Sequence, residues 1–77
     1  MRAEERERRA ALVARKEAAL RRWPNRADDE FKAELNEVAH ELDALARALD
    51  EAQADVLDRL RTWCALGEAY LLLGQKH

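Results

Sequence analysis

From Phe31 to Leu73 the sequence keeps one apolar register. Phe31, Leu35, Val38, Leu42, Leu45, Leu49, Ala52, Val56, Trp63, Leu66, Tyr70 and Leu73 recur at alternating spacings of four and three, broken only by Arg59. Residues spaced this way lie along one face of an α-helix, as in the seam of a coiled coil. Neither Gly nor Pro interrupts the stretch before Gly67. The spacing therefore predicts one long helix, from about residue 26 to about residue 73.

The rest of the composition agrees with an all-α fold. Of 77 residues, 48% are hydrophobic and 39% charged, with no Ser, no Ile, one Pro and two Gly. Little here suits strands or hairpin turns, and the apolar content at helical spacing is enough to form a core. A chain of this length makes a single helical domain near the lower size limit for independent folding.

A first helix is expected from about residue 3 to 22, a turn over 23–25, and the long helix after it. Ala10, Val13, Leu20 and Trp23 give the first helix a shallow apolar face, and Arg21 and Arg22 complement the dipole at its end. Pro24 pushes Trp23 out of helical geometry. Asn25 reads as the N-cap of the long helix, with Asp28, Asp29 and Glu30 supplying negative charge to its first turns. So short a connection implies an antiparallel helical hairpin.

That hairpin is lopsided. At 1.5 Å per residue the first helix is roughly 30 Å long and the second roughly 70 Å. The distal part of the seam, Val56, Trp63, Leu66, Tyr70 and Leu73, together with Leu60 beside it, then has no partner in its own chain. It is expected to be a protein interface, made with a second copy in a homo-oligomer (a dimer being the simplest) or with a larger partner protein, so that a helical bundle assembles between chains. The alternative is a break near Asp50–Gln53, which have capping-box spacing, and a closed three-helix bundle.

Charge is unevenly distributed. Residues 1–26 hold nine Arg or Lys against four Glu, and residues 27–77 hold five against twelve acids, within a net charge of -2. A basic first helix lying against an acidic second one accounts for this. A cluster of Arg21, Arg22 and Arg26 around Trp23 offers a phosphate contact with an aromatic to stack on a base, which defines the alternative function, a small nucleic-acid-associated regulator. A net acidic chain lacks the broad positive field that such binding favours.

Residues for covalent chemistry are scarce. Serine is absent, Thr62 is the sole threonine, and Cys64 has no His near it in sequence. Cys64 is expected as a small buried hydrophobe. Glu37 and His40 have the Glu-x-x-His spacing of helical di-iron sites, but they lie opposite the Leu35/Val38/Leu42 seam and read as a solvated face. No catalytic residue, cofactor or metal site is expected. A lone cysteine, no secretory signal and a longest apolar run near the C-terminus of only Ala69–Leu73 point to a cytoplasmic protein that does not enter a membrane.

Trp63, Leu66, Gly67 and Tyr70 resemble the Trp-x-x-Leu-Gly-x-x-Tyr core of the first helix of a tetratricopeptide repeat, over the twelve residues from Trp63 to Gly74. The resemblance implies a helix packed closely at Gly67, while residues upstream follow heptads in place of a repeat of about 34 residues. The function expected from all of this is a non-enzymatic α-helical protein–protein interaction module: a self-associating adaptor, an assembly factor or a small helical chaperone.

Overall fold

The computed structural model describes residues 2–74, and these form three α-helices that pack against one another: α1 (Ala3–Arg22), α2 (Asp29–Glu51) and α3 (Val56–Leu72). The unbroken helix expected from about 26 to about 73 is thus two helices. Its interruption is a Schellman-type stop. The Ala54 amide donates to the Leu49 carbonyl and the Gln53 amide to the Asp50 carbonyl, both across the left-handed Gln53 at φ 52°. This geometry is the usual place for glycine, which is why a search for Gly, Pro or Ser finds no break here. Asp55 then opens α3, accepting the Leu57 amide at 2.9 Å.

The α1–α2 turn also differs in detail from expectation. Asp28, three residues after Asn25, is the N-cap of α2, with its carboxylate accepting the Glu30 amide at 2.8 Å. The Asn25 side chain instead accepts the Ala27 amide at 3.0 Å, an Asx turn that shapes the approach. Trp23 closes α1, its amide donating to the Ala19 carbonyl.

The seam on α2 becomes the middle of the core. Phe31, Leu35, Val38, Ala39, Leu42, Leu45, Ala46 and Leu49 are all buried. Each large side chain among them contributes about 1.5–3 kcal/mol from its removal from water. α1 supplies Leu12, Lys16 and Ala19, a stripe one residue out of phase with the Ala10, Val13 and Leu20 face expected; Ala10 is exposed, and Val13 and Leu20 are half-buried. Arg9 and Lys16 occupy positions on this inner stripe, which hides it from a scan for apolar residues.

α3 does not continue the seam either. Its buried residues are Asp58, Thr62, Ala65, Leu66 and Ala69. The break has turned the helix by about one residue, or roughly 100°, relative to an uninterrupted heptad. Small and polar side chains now face inward, where they meet the cations of α1. Arg9 donates to the Asp58 carbonyl at 3.1 Å and to the Thr62 hydroxyl at 3.5 Å, and Arg6 and Arg9 approach the Asp58 carboxylate at 3.7 and 3.6 Å. Lys16 pairs with Glu68. On the other side, Arg15 reaches Glu34, Glu37 and Glu41 of α2, so the basic first helix does lie against the acidic second one.

Candidate functional site: the outer face of α3

Turning Asp58, Thr62 and Ala65 inward turns the bulkiest side chains of α3 outward. Leu71 is 72% exposed, Val56 61%, Leu60 55%, Leu57 53% and Trp63 41%. Cys64 is exposed among them, a correction to the buried position expected for it. On a helix turning about 100° per residue, Trp63, Val56, Gly67, Leu60, Leu71, Cys64 and Leu57 fill a continuous arc of about 120°. No charged residue falls within that arc.

A groove runs beside the arc, between α1 and α3. Val13, Lys16 and Glu17 line it on the α1 side, and Leu57, Leu60, Arg61, Cys64, Ala65 and Glu68 on the α3 side. Toward the C-terminus of both helices it continues between Leu20, Leu71 and Leu72. Across the α1–α3 contact, Arg6, Arg9 and Lys16 of α1 reach Asp58, Thr62 and Glu68 of α3.

The residues expected at an interface separate into two groups. Val56, Leu60 and Trp63 lie on the outer face. Leu66 is 1% exposed and belongs to the intramolecular core, with Tyr70 and Leu73 partly buried against the same cluster. Leu57, Cys64 and Leu71 are exposed on the outer face as well. The signal for these three was the widening of the apolar stripe past Val56, a feature that seam counting alone leaves out. Trp63 is oriented by its indole N–H, which donates to the Asp50 carboxylate at 3.1 Å across the α2–α3 break.

Elsewhere, Trp23 is engaged in structural contacts. Arg22 lies over the Trp23 ring at 4.8 Å, covering a face that a base would need. The Trp23 indole donates to Glu30 at 3.3 Å, and the ring packs partly against the core. Arg21, Arg22 and Arg26 are all exposed, and among the described residues none makes the ion pair with Asp28, Asp29 or Glu30 that their positions suggested. Glu37 and His40 face solvent, and no group of three potential metal ligands occurs among the described residues. Arg59, the one charge that interrupts the register, has its Nε enclosed with no hydrogen-bond partner. Among the described residues, no helix is long and apolar enough to cross a membrane.

Comparison with protein families, with curated proteins and with solved structures finds no match, the tetratricopeptide repeat included.

Proposed function

We propose that the protein is a non-enzymatic helical interaction module whose contact surface is the outer face of α3. One observation carries this reading: Val56, Leu57, Leu60, Trp63 and Leu71 all stand exposed in one uncharged arc. Scattered apolar residues on a surface need no explanation, but a contiguous apolar patch marks a place where another surface is received. Leu, Val and Cys provide shape and burial there, and Trp63 provides the rigid amphipathic side chain typical of interface anchors. α1 and α2 form the scaffold that holds α3 in place.

Leu60→Glu combined with Leu71→Glu tests the reading, because both side chains lie outside the core. The variant is expected to keep its helical circular dichroism and its melting temperature to within a few degrees. It is also expected to lose whatever complex the native protein forms, as measured by native mass spectrometry of protein purified from its own cells. A wild-type chain that stays monomeric and unaccompanied in that experiment would overturn the reading.

A further inference from the structure

We infer that the occupant of the α3 face is the same face of a second copy, with the two α3 helices antiparallel and crossing near Cys64. This rests on the interaction reading above and adds the identity and orientation of the partner.

Leu57, Leu60, Cys64, Gly67 and Leu71 have the four-and-three spacing of a coiled-coil seam of their own. The stripe is close to palindromic: Leu57 and Leu71 lie seven residues either side of Cys64. An isologous two-fold contact requires this self-complementarity, and a two-fold axis through Cys64 lays each Leu57 against Leu71 of the second copy. Cys64 and Gly67, the smallest residues on the stripe, then fall where the helices approach most closely.

The flanks decide the orientation. Arg61 and Glu68 lie on the same edge of the stripe, seven residues apart, and Val56, Trp63 and Tyr70 lie on the other edge. When two such helices run antiparallel, like edges meet. Arg61 then faces Glu68 of the second copy, twice over by symmetry, while Trp63 meets its own equivalent and Val56 meets Tyr70. A parallel pairing would instead set Arg61 and Glu68 against the apolar edge of the other chain. Edge charges of this kind set partner choice and direction in helical pairs. Arg61 makes no ion pair among the described residues, so it is available for the contact. Glu68 is 62% exposed at its side chain while pairing with Lys16.

The area fits a modest dimer. The five large exposed side chains leave on the order of 500 Å² of apolar surface per chain, the upper range for a monomer. Two such faces bury about 1,000 Å², at the threshold for a specific interface, so a weak, concentration-dependent dimer is expected.

Sedimentation velocity of the full chain, from about 1 µM to about 1 mM, should show a monomer–dimer equilibrium in that range. Leu60→Glu with Leu71→Glu should weaken it at least tenfold. A short bis-maleimide should link wild-type dimers through Cys64. Orientation is read in a Cys64→Ala background. Leu57→Cys alone and Leu71→Cys alone should give little linked dimer, because the two copies of each cysteine lie about 21 Å apart along the axis. An equimolar mixture of the two should link efficiently. Self-linking of each single-cysteine variant would show a parallel pair and overturn the proposal, as would a dimer indifferent to the Leu60/Leu71 substitutions. A wild-type chain that remains monomeric at the highest concentration also overturns it. The broader interaction reading survives that outcome if the purified native protein still carries a different partner lost in the same double variant, and fails with it if no partner is carried.

Discussion

Asp58 is an acid where a three-helix core would ordinarily take an aliphatic side chain. Its carboxylate is nine-tenths removed from solvent and faces Arg6 and Arg9, of which Arg9 is itself largely covered. Removing one partner strands a largely buried charge, whereas removing both together does not. Asp58→Ala is therefore expected to cost about 2–3 kcal/mol by chemical denaturation, and Arg9→Met with Asp58→Leu to recover most of that loss. A double variant as unstable as the single one would show that the pair contributes more than it costs to bury. Arg15 presents a different balance. It is one cation among Glu34, Glu37 and Glu41, and its hydrogen bond with Glu34 raises the guanidinium pKa above its ordinary value. It is also partly exposed, so screening by solvent limits the stabilisation. Arg15→Ala should destabilise by about 1 kcal/mol, chiefly by leaving three carboxylates in a row, and the difference from wild type should shrink in about 1 M salt.

At the scale of the element, the break between α2 and α3 depends on few residues. A non-glycine residue in the left-handed region is strained by about 1 kcal/mol or more, and Gln53 has no side-chain hydrogen bond among the described residues to offset this. Gln53→Gly is expected to raise stability by about 0.5–1 kcal/mol, and Asp55→Ala to lower it by about 1 kcal/mol through loss of the cap. If Gln53→Gly is destabilising, the chain outside the folded state, freed by glycine, outweighs the relieved strain. The same break explains what was legible in the sequence. The α2 seam from Phe31 to Leu49 could be read from spacing because burial there is almost purely apolar. Past Leu49 the register continued on paper, yet nothing in the spacing shows that Gln53 adopts a glycine-like conformation. One residue of rotation then moved Trp63 and Cys64 outward and Thr62 inward. The exposed apolar face of α3 was legible as a concentration of apolar side chains in the last third of the chain, and its membership was not, because membership depends on that rotation. On α1 the inner stripe was illegible for another reason: Arg9 and Lys16 reach across to partners some fifty residues away.

Across the whole molecule, labour is divided between helices. α2 lies between the others and supplies most of the large core side chains; α1 supplies charge; α3 supplies a single large fully buried residue, Leu66, along with a wall of small ones. No pair of helices is self-sufficient, because α2 buries its residues against both neighbours. A chain ending at Ala54 should therefore lose cooperative thermal unfolding and more than half of its helical signal. Retention of a sharp transition would mean that the α1–α2 hairpin alone is a folding unit.

The long-range placement of the α1–α3 contacts also has a consequence in time. Arg9 meets Asp58 across 49 positions of chain, and Lys16 meets Glu68 across 52, whereas α2 and α3 are adjacent in sequence and joined by a tight turn. Both connections are short, but α2 packs more extensively against α3 than against α1, so the α2–α3 hairpin should form in the rate-limiting step and α1, whose contacts with α3 are long-range, should dock afterwards. Leu66→Ala would then act mainly by slowing refolding, and Leu12→Ala mainly by speeding unfolding, a contrast that stopped-flow chevron plots resolve directly. In that order of events, the apolar face of α3 is presented to neighbouring molecules before the chain has finished folding.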